Sequence, residues 1–418
     1  MIKKAAIITI GDELLIGQIV DSNSAYIARE LNKIGIRIDK KYSIGDQKEA
    51  IIEVLDTYIG KLDIILFTGG LGPTRDDITK ETLNEYFGGK LIRHEETYRL
   101  LENYFKSRNR PFEEVNQQQA YVPHNCRVLL NTEGTAPGML FEHKGSLIFS
   151  LPGIPFEMEY LMQEEVIPIL KKEAEIIPLV HATLHTVGIP ESTLMLKIQD
   201  WENALAEDLK LAYLPTYGTV RLRLTCWTPG KYSEDELYSL FDPIRKQLGN
   251  AVLGEGDTDM TRVLFELLKE KNKKVSFAES CTGGYLAHQL TLLPGASNLF
   301  NGSIVTYSYD SKESELKVPM QILNEKGAVS EEVVRIMAEE VRLKFRSDYG
   351  VSTSGIAGPT GATPDKPVGT VWIAVSSAKQ TIAKRFQLGP KRDRNIKLSG
   401  VYAYNMLRIL IQSEEQAE

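Results

Sequence analysis

Leu62-Asp63-Ile64-Ile65-Leu66-Phe67-Thr68-Gly69-Gly70-Leu71-Gly72-Pro73-Thr74-Arg75-Asp76-Asp77-Ile78-Thr79-Lys80-Glu81 decides how the first part of this chain folds. An apolar run of strand length ends in a cluster of glycines, and an acidic, helix-opening segment follows. The same order occurs upstream. Residues 5–10 are an apolar strand run closed by Gly11-Asp12-Glu13-Leu14-Leu15. Asp21-Ser22-Asn23-Ser24 precedes a helix with a stripe of Ile27, Leu31 and Ile34. Gly35 ends that helix and Ile36-Arg37-Ile38 begins another strand. Strands alternating with helical patterns predict a parallel α/β sheet. Ligands of such sheets sit beyond the carboxyl ends of the strands. Both acidic motifs lie at such ends.

Backbone N–H groups of glycine-rich loops suit anionic oxygens, and carboxylates suit a divalent cation. Loops containing Gly69, Gly70 and Gly72, Gly134 and Thr135, and Pro152 and Gly153 can supply the donors. Asp12, Asp46, Asp77 and Glu81 can supply the carboxylates. Read alone, Asp76-Asp77 is equally an ordinary acidic helix start.

A second strand-to-helix junction, Ala278-Glu279-Ser280-Cys281-Thr282-Gly283-Gly284, lies late in the chain. Val275, Phe277 and Ala278 end a buried strand, and Tyr285, Leu286, Leu290 and Leu293 carry the helix that follows. The junction offers a hydroxyl beside two glycines, where free N–H groups favour anions and developing negative charge. Val305-Thr306-Tyr307-Ser308-Tyr309-Asp310-Ser311-Lys312 supplies a lysine, and a serine with a lysine base is one means of attacking an amide. Taken alone, the serine is as readily a helix cap. Ser354-Gly355-Ile356-Ala357-Gly358-Pro359-Thr360-Gly361 follows a short strand, and Gly389-Pro390-Lys391-Arg392-Asp393-Arg394-Asn395 opens the last helix. Gly358, Thr360, Gly361 and Arg392 are candidates to hold a phosphate. Cys281 reads as a small buried thiol and His288 as a lone helical histidine.

Residues 172–256 read as a small α+β module. Residues 182–187 and 219–225 are strands, and in the second Val220, Leu222 and Leu224 alternate with Arg221, Arg223 and Thr225. Residues 233–248 read as one helix, with Leu237, Leu240, Phe241 and Ile244 inward. Gly188-Ile189-Pro190-Glu191-Ser192 caps a further helix.

The four C-terminal motifs together resemble the C-terminal domain of the competence/damage-inducible CinA family, over residues 257–414. The resemblance implies a nicotinamide mononucleotide deamidase needing no cofactor. Ser280 would be its nucleophile and Lys312 its base. Tyr307, Thr282 and Arg392 would line the site, Tyr307 also catalytic in that it or Lys312 would pass a proton to the departing ammonia, with N–H groups from Thr282 to Gly283 and Gly284 holding the oxyanion. In the alternative, Ser280 and Lys312 only orient and activate water; the residues leave an acyl-enzyme and direct water attack equally open. Tyr309 departs from the small polar residue expected at its position.

Residues 4–170 resemble the molybdopterin-binding domain of cofactor-biosynthesis proteins, in its CinA branch. Gly69-Gly70-Leu71-Gly72 matches that superfamily's Gly-Gly-Thr-Gly loop, with leucine replacing threonine. Asp46 and Asp77 match its acidic positions, and Asn131-Thr132-Glu133-Gly134-Thr135-Ala136-Pro137-Gly138 and Leu151-Pro152-Gly153-Ile154-Pro155 complete the pattern. This implies cleavage of ADP-ribose to AMP and ribose 5-phosphate with magnesium, manganese or cobalt. The expected architecture is therefore α/β throughout: a molybdopterin-binding-like parallel-sheet domain (1–171), an α+β linker similar to a KH fold (172–256), and a C-terminal α/β deamidase domain (257–418). The chain would recycle pyridine nucleotides, as a cytoplasmic homodimer. The alternative is a molybdopterin-binding or competence/DNA-damage accessory protein without catalysis.

Composition is consistent with this. The 418 residues suffice for two or three domains. A net charge of −7 gives no general attraction to nucleic acid or anionic membrane. The linker also lacks the G-x-x-G loop with which KH domains clamp nucleic acid. No apolar run approaches membrane-span length. Three cysteines without C-x-x-C pairing point to a reducing compartment.

Overall fold

A computed structural model describes residues 3–74, 76–173 and 179–415 of this α/β chain. They form two compact units, one of residues 1–179 with 228–231, the other of the remainder. The first unit is built on a six-stranded sheet. Its strands Arg37–Ile44, Lys4–Ile10, Ile64–Thr68 and Ser146–Leu151 run parallel. Lys4–Ile10 is buried from its second residue on, as a strand covered on both faces must be. Ile7, Leu66 and Phe149 pack on one side, and Ile8, Phe67 and Ile148 on the other. Helix Ser22–Lys33 is N-capped by Asp21, whose side chain accepts from the Ser24 N–H at 2.9 Å.

Two features depart from the sequence reading. The sheet is mixed, not wholly parallel: Gly138–His143 and Arg127–Leu129 add antiparallel strands. The Lys144-Gly145 turn, where φ is 47° and 81°, joins Gly138–His143 to Ser146–Leu151 as a tight hairpin, and residues 130–137 connect Arg127–Leu129 to Gly138–His143. The helix expected from Asp76-Asp77 begins only at Thr79, because Asp77 turns back to accept from the Thr74 N–H and hydroxyl.

The second unit holds two sheets. Strands Leu209–Pro215, Thr219–Cys226, His181–Val187 and Val252–Glu255 form an antiparallel sheet. Val220, Leu222 and Leu224 are buried while Arg221 and Arg223 face out. The helix expected over 233–248 is broken into Glu234–Ser239 and Asp242–Leu248. Pro243 has no N–H to continue the first helix but fits the first turn of the second. The other sheet has parallel strands Phe300–Val305, Val275–Glu279 and Tyr349–Gly355, then antiparallel Thr370–Ser376 and Thr381–Gln387. Val275–Glu279 lies between the two parallel neighbours and is buried at every residue. Helix Arg392–Glu415 inserts Ala403, Tyr404 and Leu407 into the core that holds Phe277 and Val351. Among the described residues, no helix is long and apolar enough to cross a membrane.

Candidate active site

Three parallel strands of the C-terminal sheet deliver their carboxyl ends to one place. The central strand ends at Glu279, and Ser280 follows with its N–H donating to Thr353 O at 3.0 Å. The neighbouring strand ends at Val305, and Thr306 donates its N–H to Glu279 O at 2.9 Å. Helix Tyr309–Leu316 then starts, fixed by a capping box between Ser308 and Ser311. Its first turn aims Lys312 back beneath the serine. Lys312 Nζ donates to Ser280 Oγ at 3.1 Å and to Thr306 O at 2.6 Å.

Lys312 is 0% exposed. Burial pulls its ammonium from 10.5 down to about 8, and its hydrogen bonds involve no carboxylate. A buried amine that sheds its proton near neutrality, bonded to a hydroxyl, can act as a general base. Cys281, next in sequence, is a buried thiol pushed up to about 12 by its burial, with little thiolate at neutral pH. His288 is exposed on its helix.

The N–H groups of the junction are allotted differently from expectation. Gly283 N–H donates to Ser280 O at 3.1 Å, and Gly284 N–H donates to Glu279 Oε2 at 3.0 Å. Both are therefore spent inside the turn. The Thr282 N–H has no acceptor among the described residues, and the Cys281 N–H has only its own thiol, so both are better placed than those of Gly283 and Gly284 to meet a ligand oxygen. Glu279, which motif reading passed over, organises this turn. Fully buried, it accepts from the N–H groups of Gly284, Leu286 and Ala287 and from the Thr282 hydroxyl. It thus satisfies the orphan donors that open helix Tyr285–Thr291. The detectable signal was a charge at the end of an apolar strand. Replacing Glu279 by Ala leaves those donors buried and unpaired. Unfolding in urea is expected to show a loss of about 3 kcal/mol, most of it missing in Glu279→Gln.

The remaining predicted residues split. Arg392 donates to Gly358 O at 3.0 Å and to the Tyr307 hydroxyl at 2.9 Å. Tyr307 is 62% exposed and joins Arg392, not the Ser280–Lys312 pair, so its expected catalytic place becomes one at the rim. Thr282 is turned inward, sharing its hydroxyl with Glu279 and Thr353. Gly358 is buried; Thr360 and Gly361 are exposed. Tyr309 accepts from the Ala328 N–H at 3.3 Å, a contact within the scaffold.

In the first unit, four strand ends meet around a cleft of about 550 Å³, lined by Asp46, Asp77, Gly69, Gly70, Gly72 and Thr135, with Pro152 and Gly153 beside Gly69. Gly69 must lack a side chain: its φ is 115°, and a Cβ would lie 2.3 Å from Ile10 O. Asn131 and Gly134 serve the loop instead of facing the cleft. Asn131 donates to Ala136 O and Glu157 Oε2 and accepts from the N–H groups of Glu133 and Gly134.

The four carboxylates expected to bind metal are not gathered into one set. Asp46 Oδ2 accepts from the Asp12 N–H at 3.0 Å, Asp77 is engaged by Thr74, and Glu81 lines an adjoining cavity. Among the described residues no group of three or more His, Cys, Asp or Glu side chains is placed to hold a metal ion. Burial raises the Asp46 carboxyl above its ordinary value, and the charges of Asp12, Glu13 and Asp76 add to the shift. The donors fit a cation shared with a ligand's phosphates, which needs only one or two carboxylates, and not a protein-only centre.

Comparison with known proteins covers each part. Residues 257–411 match a family model described as CinA C-terminal domain, residues 6–172 one described as Probable molybdopterin binding domain, and residues 181–254 one described as Damage-inducible protein CinA KH domain. A CinA-like protein of Cytophaga hutchinsonii is 43% identical over 405 residues, 97% of each chain. One of Flavobacterium psychrophilum is 42% identical over 399 residues, 94% of this chain and 95% of that one. The solved structure of the competence/damage inducible protein CihA from Agrobacterium tumefaciens is 32% identical, covering 37% of this chain and 93% of its own, with a TM-score of 0.36.

Proposed function

We propose that this chain, which belongs to the CinA family, hydrolyses the carboxamide of nicotinamide mononucleotide through its C-terminal site. The observation that carries the reading is the Ser280 hydroxyl bonded to a fully buried lysine that loses its proton near pH 8. A carboxamide is a poor electrophile and needs an activated nucleophile with a prepared oxyanion site. Ser280 Oγ attacks the carbonyl carbon while Lys312 takes its proton. The N–H groups of Cys281 and Thr282 receive the oxyanion. As the C–N bond breaks, Lys312 returns the proton to the leaving ammonia. Water, deprotonated by the same amine, then cleaves the acyl-serine to release nicotinate mononucleotide. The proton goes through Lys312 because Tyr307 is bonded to Arg392.

Arg392 and Tyr307 suit the other end of the substrate. A guanidinium beside an exposed phenol matches a phosphate and its ribose. Arg392→Ala is expected to raise KM for nicotinamide mononucleotide about tenfold or more and to alter nicotinamide riboside turnover little. Equal losses for both substrates would remove Arg392 from phosphate binding.

A second reading concerns the N-terminal cleft. Its glycine loops, with Asp46 and Asp77 in the same lining, favour a pyrophosphate with a divalent cation, as in hydrolysis of ADP-ribose. When bound, the cation would polarise the phosphoryl group; Asp46 and Asp77 would hold it. Both activities belong in a reducing cytoplasm, which suits Cys126, Cys226 and Cys281, among which the structure forms no disulfide.

A further inference from the structure

Residues 117–119 are three consecutive glutamines in very different situations. Gln117 has a partner at each end of its amide: Nε2 donates to Phe112 O at 3.0 Å, and Oε1 accepts from the Tyr98 hydroxyl at 3.4 Å. Gln118 is exposed, and its backbone carbonyl accepts from Lys80 Nζ at 3.2 Å. Gln119 is only 4% exposed, yet among the described residues neither its Nε2 nor its Oε1 has a hydrogen-bond partner. A buried carboxamide with both ends unpaired costs stability and needs an explanation.

Its position suggests one. Gln119 lines the glycine-loop cleft and also the adjoining cavity of about 610 Å³. Gly72, Pro73, Thr74 and Asp77 are common to both walls, so the two spaces meet at this residue. The cleft holds the features suited to phosphates. The adjoining cavity offers partly exposed Leu91, Val115 and Tyr121, surfaces suited to a flat ring. A side-chain amide with a free donor and a free acceptor is complementary to adenine, whose edges pair an exocyclic N–H with a ring nitrogen.

We propose that Gln119 recognises the adenine of a nucleotide lying across these two spaces, with its phosphates toward Gly69–Gly70–Gly72. This rests on the reading of the N-terminal cleft as a site for an adenine nucleotide. Gln119 is here a specificity residue, and no bond is made or broken at it.

The full-length chain would be titrated calorimetrically with AMP, with purine riboside 5′-monophosphate (AMP without its 6-amino group), and with ribose 5-phosphate. AMP is expected to bind about tenfold or more tightly than the deamino nucleotide, because the latter leaves Oε1 unpaired. Gln119→Leu should erase that preference and leave ribose 5-phosphate affinity within about twofold. The ligand-free Leu variant should melt at or above the native temperature, since it removes an unpaired amide, whereas a structural glutamine would give a lower one.

Equal affinity of the native chain for the two nucleotides, or no AMP binding, overturns the proposal without any variant having to fold. A preference surviving in Gln119→Leu overturns it too, as does a lowered melting temperature. ADP-ribose turnover with magnesium forms a separate arm. No turnover alongside an intact AMP preference leaves Gln119 in place and removes the hydrolase reading of this cleft.

Discussion

Ser280→Ala is expected to slow ammonia release from nicotinamide mononucleotide by about a thousandfold or more, with KM nearly unchanged. Among the described residues the hydroxyl has one hydrogen bond, to Lys312, and Ser280 packs at a strand end that backbone bonds hold. The fold should therefore tolerate the change, with urea midpoints close to native. A loss confined to kcat is the signature of a group that acts on the reacting carbon. A helix cap would behave in the opposite way. Its removal would cost about 1 kcal/mol of stability and leave the rate alone. In the structure, Glu279 satisfies the helix start and frees the serine from that duty.

The second large effect concerns Lys312, in both rate and stability. The amine accepts a proton only when neutral, and burial brings its titration down to about 8. The deamidation rate kcat/KM should rise about tenfold per pH unit below that value and level off above it. Lys312→Met should lose the rate by about a thousandfold, together with the pH rise. Stability moves with the same group. The folded chain holds this proton less tightly than the unfolded chain, where the lysine titrates near 10.5. Below about pH 8 both states are protonated, and the full penalty of the buried ammonium is present. Between about 8 and 10.5 the folded chain has lost the proton and the unfolded chain has not, so native stability rises with pH. The rise is about 3 kcal/mol at most, and Lys312→Met lacks it. Urea denaturation of both chains at pH 7.5 and 9.5 measures the difference. Parallel behaviour of the two would mean that Lys312 is an ordinary solvated lysine.

The parallel strands were legible in the sequence because strands buried on both faces are continuous apolar runs, as in Lys4–Ile10 and Val275–Glu279. The Ser280–Lys312 pair was legible because its residues follow adjacent strand ends, and parallel register brings such ends together. Other features depend on contacts that spacing does not encode. The antiparallel pairing of Gly138–His143 with Ser146–Leu151 follows from a Lys-Gly turn whose twist only the folded hairpin defines. Spending Gly284's N–H on Glu279 is a three-dimensional competition for one donor. The scattering of Asp12, Asp46, Asp77 and Glu81 is similar: each stands near a plausible strand end, but local acceptor geometry turned Asp77 onto Thr74 and left Glu81 on another wall. Gln119 carried no motif at all, and only its unpaired amide singles it out.

The most direct test is to incubate the purified native chain with nicotinamide mononucleotide in EDTA and follow ammonia and nicotinate mononucleotide together. The account predicts equal amounts of both, formed without metal and faster at pH 8 than at pH 7. A folded chain that releases neither product would contradict it.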